Sequence, residues 1–284
     1  MANLPVVQHN EQSSGGQVPP DVLAALAEIH RYNPRATPLE ALPDVHPQRI
    51  PRHIAVIMDG NGRWATARGF PRQFGHVNGA ASVRTVLEEC VRLGVQVLTL
   101  YSFSLENWKR PADEVDALMQ LCQRYIDGEE QEMLQQGIRF RTIGRRAGLP
   151  ASVLASIDRV TASTAHNTAC TLNLAINYSS RAEIADAART LAQRVADGDL
   201  KPDDITPELF GQCLYTAGLP DPDLLVRTAG ELRISNYLLW QISYAELYVT
   251  STLWPDFGVE DLHRAVRAYS QRERKFGAVP GCGV

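Results

Sequence analysis

From residue 53 onward, short apolar runs alternate with longer amphipathic stretches. The apolar runs at 53–58 (HIAVIM), 95–101 (VQVLTLY), 138–143 (IRFRTI), 171–177 (TLNLAIN), 223–227 (DLLVR) and 246–250 (ELYVT) predict strands. They are short, rich in β-branched residues and bounded by turn residues. Helices are expected between them, near 76–93, 112–136, 150–165, 181–197 and 207–214, with a last one near 259–275. On the first of these, Ala80, Val83, Leu87 and Cys90 recur at spacings of three and four, which makes one apolar face. Repeated strand–helix alternation predicts an α/β fold: a single parallel sheet of about six strands surrounded by helices. In such sheets, ligands bind beyond the carboxyl ends of the strands.

The first fifty residues read differently. Residues 1–19 carry Gln, Ser, Gly and Pro and little that could form a core, so a disordered tail is expected. Residues 20–32 (PDVLAALAEIHRY) put Leu23, Leu26 and Ile29 at spacing three, a helical stripe. The proline-punctuated stretch 34–52 is expected to run extended over the surface. The chain has 284 residues, 44% apolar and 21% charged, an ordinary balance for a globular protein and not for a disordered chain, a fibre or a disulfide miniprotein. Its 28 Lys and Arg against 32 Asp and Glu leave no electrostatic footprint for nucleic acid. No apolar run reaches the ~20 residues that span a bilayer, and MANLPVVQHN lacks the pattern of a secretory signal. Five cysteines, at 90, 122, 170, 213 and 282, show no Cys-x-x-Cys spacing, which reads as free thiols in a reducing, cytoplasmic setting and argues against a zinc site.

Candidate chemistry lies where the strands end. The first strand runs into Asp59-Gly60-Asn61-Gly62-Arg63-Trp64. Two glycines allow a tight turn that brings N–H groups close to an anion, and Asp59 offers a hard oxygen ligand suited to Mg²⁺. With Arg63, Arg68 and Arg72 nearby, the segment reads as a cradle for diphosphate and Mg²⁺. A glycine-rich turn capped by an Asp would use the same residues, and spacing alone does not choose between the two. The fifth strand runs into Arg227-Thr228-Ala229-Gly230-Glu231-Leu232-Arg233-Ile234-Ser235, a second glycine flanked by guanidinium forks that match phosphate oxygens. The second ends near Ser104, Glu106, Asn107, Trp108 and Arg110, where polar groups alternate with aromatics. His76 follows Gly75 at an expected helix start, and Glu246 opens the last strand.

Five blocks, in order, resemble the cis-prenyltransferases: HIAVIMDGNGRWA, Gly75-His76, LYSFSLENWKRP at 100–111, DLLVRTAGELRISNYLLWQISYAELY at 223–248 and LWPDF at 253–257. Undecaprenyl diphosphate synthases are the nearest type. The resemblance runs from about 51 to 277 and leaves 278–284 as a flexible tail. It implies a Mg²⁺-dependent homodimer that adds isopentenyl diphosphate to an allylic diphosphate, with farnesyl diphosphate the expected primer. By position, Asp59 would hold Mg²⁺, with Glu246 supporting the metal from the partner subunit. Gly60, Asn61, Gly62, Arg63, Arg72 and His76 would serve the allylic diphosphate. Asn107 and Arg110 would complete the reacting centre, joined in substrate binding by Ser104, Glu106 and Trp108. Arg227, Arg233 and Ser235 would hold isopentenyl diphosphate, while Trp64 and Phe103 would face hydrocarbon.

The resemblance also implies an apolar tunnel between sheet and helices. Ser102 near its entrance and Cys170 toward its far end are both small, which favours a long product of undecaprenyl class over a short-chain one. Such a product is a carrier-lipid precursor for cell-wall glycans and is delivered to the membrane, with the protein at most peripheral. Leu105, Ala229 and Leu232 depart from the commonest family pattern and bear on substrate preference. A phosphotransferase of another family would need a nucleotide fingerprint, which is absent. A non-catalytic partner subunit would be expected to lose Asp59, Asn107, Arg227 and Arg233, which are all present.

Overall fold

The computed structural model describes residues 18–273. The expected tail at 278–284 and residues 1–17 of the one expected at 1–19 lie outside that range, while Pro19 caps α1. Six strands form one sheet: β1 (His53–Ile57), β2 (Val97–Ser104), β3 (Ile138–Ile143), β4 (Cys170–Tyr178), β5 (Leu224–Arg227) and β6 (Glu246–Val249). The order is β3-β4-β2-β1-β5-β6 and every pairing is parallel. Parallel strands need crossovers, and here most of these are helical: α3 (Asn61–Ala67), α4 (Arg72–Leu93), α5 (Ala112–Gln136), α6 (Ala151–Ser163), α7 (Ser180–Ala196) and α8 (Pro207–Gly211), with α9 (Val259–Ser270) closing the chain. The α/β sheet with surrounding helices is the one the alternation predicted.

All five residues of β1 are buried because the sheet is covered on both faces. Ile54 and Val56 enter the larger core, with Val86, Leu87, Cys90 and Ile126 from α4 and α5. Ala55 and Ile57 point the other way, to a smaller core with Tyr178, Tyr237 and Leu238. The two edges of the sheet are β3 and β6, and β6 alternates between half-buried and exposed.

Three local differences from the sequence reading matter for the site. The segment after Gly60, read from sequence as a glycine-rich turn, forms the helix α3. The following helix begins at Arg72, four residues earlier than expected, so His76 lies inside it and not at its start. Strand β2 continues to Ser104 instead of stopping at 101, which carries Ser102 and Phe103 on the sheet. At the first two, α3 and α4 pack so closely that Gly75 lies against the Asn61 carbonyl and a methyl group there would overlap it, while the end of β2 pairs with β4 through Phe103 and Ser104.

The proline-punctuated segment is also more than a surface strap. It follows α1 (Pro20–His30), forms the short helix α2 (Pro38–Ala41) and buries Leu42, Val45 and Ile50 in the larger core. Thr37 N donates to Arg92 O at 2.8 Å and Asn33 Nδ2 to Val91 O at 2.6 Å, which ties the segment to the end of α4.

Candidate active site

Chain order reverses at β1. From there β2, β4 and β3 extend one way and β5 and β6 the other. The crevice at such a switch point is the favoured ligand site of an open parallel sheet. Ile57 is in register with Arg227, so the two predicted cradles stand side by side in that crevice.

Asp59 is held from several directions. Its Oδ1 accepts from Gly60 N at 2.7 Å and its Oδ2 from Arg227 Nη2 at 3.0 Å, while Arg63 Nη2 lies 3.5 Å from Oδ1. Its backbone oxygen accepts from Thr228 Oγ1 at 2.7 Å and Trp254 N at 3.0 Å. Burial disfavours the carboxylate, but Arg227, Gly60 N–H and Arg63 outweigh it and keep the Asp59 pKa below the ordinary value. The group is therefore an anion and a weak base at neutral pH. Gly60 adopts φ +105°, and a Cβ there would stand 2.9 Å from Leu253 Cδ2, so glycine is required at the turn.

Arg227 is buried. It also donates to Ser235 Oγ at 2.8 Å and to the Arg233 carbonyl. Glu231 links the exposed arginines, 3.4 Å from Arg63 and 2.5 Å from Arg233. Ala229, Ser235, Asn236 and Leu238 all have positive φ, as does Gly230. Strained backbone of this kind gathers where surrounding contacts hold a site in one shape.

Opposite this cluster runs a 3₁₀ turn, Leu105–Lys109. Asn107 Oδ1 accepts from Ser104 N at 3.0 Å, which leaves both N–H groups of Nδ2 to address a ligand. Glu106 Oε1 accepts from Asn236 Nδ2 at 2.8 Å, and Arg110 pairs with Glu114 at 2.8 Å. His76 is pushed down to about 4 by burial and by the nearby Arg110 and Arg72, against the pull of Glu114. It is neutral at pH 7, and an anion bound beside it would favour its protonated form.

Two cavities meet here. An open cleft of about 450 Å³ is lined by Asp59, Ser104, Glu106, Ser235 and Asn236. A second cavity of about 180 Å³ lies between the sheet and α4 and α5. Its helical walls are His76, Gly79, Ala80 and Val83 on α4, and Leu118, Leu121, Cys122 and Tyr125 on α5. Each set follows the i, i+3, i+4, i+7 spacing of one helix face. Met58, Tyr101, Asn107 and Arg110 line both cavities, so a charged cleft opens onto an apolar pocket at those four residues.

Some expected site residues stand apart. Trp64 does not line the apolar cavity; its Nε1 donates to Asp256 at 2.7 Å and its ring carries the Arg68 guanidinium at 4.2 Å. Trp108 also stays out, with Nε1 bonded to Asn177 Oδ1 at 2.7 Å, while Phe103 does line the cavity. Ser102 lines it. Cys170 does not: it opens β4, opposite Ile138, fully buried in the larger core. Glu246 opens β6 opposite Leu224 and is paired with Arg272, whereas Arg227 ends β5. Within one chain it therefore lies at the other end of that strand pair from Asp59. The sequence reading gave no role to Glu231, Asn177, Asn236 or the α5 wall. The wall's spacing is visible along 112–136, but the other three depend on contacts across the fold.

Among the described residues, no group of three or more His, Cys, Asp or Glu side chains could hold a metal. Mg²⁺ commonly takes one or two carboxylates and fills its shell with phosphate oxygens and water. The ionised Asp59 carboxylate fits a metal that arrives with a diphosphate.

An open parallel sheet with paired guanidinium groups and an ionised carboxylate at its switch point, backed by an apolar pocket, defines an enzyme for substrates with a charged head and a hydrocarbon tail. The prenyltransferase family model described as "Putative undecaprenyl diphosphate synthase" matches residues 57–277. An isoprenyl transferase of Heliobacterium mobile is 49% identical over 83% of this chain and 90% of its own. The Rhodopirellula baltica isoprenyl transferase is 50% identical over 81% and 94%. Lavandulyl diphosphate synthase from Lavandula x intermedia, solved with dimethylallyl diphosphate, is 38% identical with a TM-score of 0.79, over 81% of this chain and 99% of that one. A structure described as a probable undecaprenyl diphosphate synthase from Campylobacter jejuni is 35% identical with a TM-score of 0.66, over 80% and 98%. The chain belongs to the undecaprenyl diphosphate synthase family of cis-prenyltransferases and is a prenyl-transferring enzyme.

Proposed function

We propose that the enzyme condenses isopentenyl diphosphate with an allylic diphosphate and repeats the step to a long-chain product of undecaprenyl class. The observation that carries this reading is the junction at Met58, Tyr101, Asn107 and Arg110, where a charged cleft meets an apolar pocket. The solved relative with dimethylallyl diphosphate supports an allylic diphosphate as a ligand of this fold.

In the condensation, the isopentenyl double bond attacks the first allylic carbon. The allylic C–O bond breaks, diphosphate leaves, and a proton departs from the second carbon of the added unit. Arg63 and Arg72 serve the departing allylic diphosphate, with Gly60, Asn61, Gly62 and His76 beside it. Arg227, Arg233 and Ser235 serve isopentenyl diphosphate, which fixes the two reactants in attack geometry. Asp59 would hold Mg²⁺ together with the diphosphates, and the metal would offset charge on the leaving group. Asn107 Nδ2 orients a diphosphate oxygen, and that oxygen is the better proton acceptor because Asp59 is a weak base.

A homodimer is the second element of the proposal. β6 is an edge strand with Leu247 and Val249 exposed, next to exposed Trp240 and Tyr244. A second copy covering that edge would remove the apolar surface and would let Glu246 approach a partner's site. Among the described residues, no helix is long and apolar enough to cross a membrane. The product, not the protein, would enter the bilayer. Incubation with labelled isopentenyl diphosphate, Mg²⁺ and geranyl, farnesyl or dimethylallyl diphosphate, followed by sizing of the products, tests the reading. The expected result is a polyprenyl diphosphate well beyond farnesyl length, lost with excess chelator. A product that stops at farnesyl length on a geranyl primer would refute the long-chain assignment.

A further inference from the structure

Asn177, the last residue but one of β4, has φ +51°, a left-handed conformation that Asn tolerates better than most residues, and it is 3% exposed. Every polar atom of its carboxamide is used. Nδ2 donates to Arg145 O at 2.9 Å and Ala147 O at 3.0 Å, and Oδ1 accepts from Trp108 Nε1 at 2.7 Å. Its own carbonyl accepts from Arg145 N at 3.2 Å. The two carbonyls dictate which end of the amide meets them, so the oxygen must face Trp108. An Asp here would set a carboxylate oxygen against two carbonyls.

Trp108 belongs to the 3₁₀ turn that carries Asn107 and leads into Arg110, two of the four residues shared by the cleft and the apolar pocket. Its ring also meets Phe103 edge-on at 5.1 Å. The polar tether from Glu106 to Asn236 is solvent-exposed, whereas the Asn177 bond, like the Arg110–Glu114 pair that ties the segment to α5, is partly shielded. Water competes less well for a shielded bond.

We propose that Asn177 is a positioning residue: through Trp108 it latches segment 104–110 to the end of β4, and so sets the affinity for diphosphate substrate rather than the rate of chemistry. The proposal rests on the reading of 104–110 as a substrate-binding segment.

The test uses Asn177→Gly, which suits the left-handed backbone while deleting the amide, Trp108→Phe, which deletes the indole N–H, and the double variant. A net hydrogen bond corresponds to a factor of about 3–10 in an equilibrium. Each single variant is expected to raise KM by that factor while kcat changes less than about twofold. The double variant should be no worse than Asn177→Gly, because the two residues act through one bond. Hydrogen exchange over 104–110, measured without substrate, should quicken in both singles. Unaltered exchange would overturn the latch, as would KM effects that multiply in the double variant. Faster exchange with unaltered KM would overturn the link to affinity, and with it the substrate role of 104–110, while leaving the physical latch visible.

Discussion

Replacing Asp59 with Asn keeps the shape of the side chain and removes its charge. Asp59 is 29% exposed and its partner Arg227 only 5%, so solvent cannot replace the lost interaction in full. The amide oxygen can accept from either Gly60 N–H or Arg227, but its NH₂ must then face the other donor. Hydrogen bonds to charged groups contribute about 1.5–3 kcal/mol, and losing the charge-assisted part of one pair should destabilise by about 2 kcal/mol. At roughly 2–4 °C per kcal/mol for a chain of this size, Tm should fall by about 4–8 °C. The folded-state pKa of Asp59 lies below its unfolded value of about 3.9. Its contribution is therefore present above that value and is lost as pH falls through the folded pKa. The Tm gap between the two proteins should be full at pH 7 and shrink below about pH 4. Turnover should drop by about 10²–10³, the usual effect of removing one partner of developing charge. Prenyl transfer with labelled isopentenyl diphosphate and thermal unfolding across pH are the assays. A variant within about threefold of wild-type turnover, or a Tm gap that persists unchanged at pH 3, would refute the reasoning.

Ser102→Leu adds two heavy atoms to the wall of the 180 Å³ cavity. The branched side chain would narrow the wall that a growing hydrocarbon must pass, so product sizing should show a sharply shorter chain. Cys170→Leu should leave product length unchanged, because Cys170 lies outside that cavity, but overpacking should cost about 1–3 kcal/mol in urea unfolding. Leu247→Arg on the exposed edge strand should convert a dimer to a monomer in sedimentation at micromolar concentration; a monomeric wild type would defeat the dimer proposal.

The alternation of apolar runs and amphipathic stretches carried the sheet, because parallel strands covered on both faces are buried along their length and nearly all apolar, as β1 is after His53. It also carried the cradles, since Asp59 and Arg227 fall where strands stop and the turn at Gly60 demands a residue without a Cβ. The glycines after Asp59 read as a turn, and only the structure shows that 61–67 is a helix packed closely against α4. His76 was legible as a residue but not as a neutral one, since burial beside Arg110 and Arg72 sets its charge. The sequence could not tell Ser102, on the cavity wall, from Cys170, outside it. That distinction depends on where β4 begins relative to α4 and α5. Trp64 and Trp108 look alike as aromatics beside a charged motif, yet each spends its N–H on a residue distant in the chain, Asp256 and Asn177. Local pattern determines which segments form elements and which residues end them. Only the packing of distant segments decides which side chains share a cavity, and with whom their polar atoms pair.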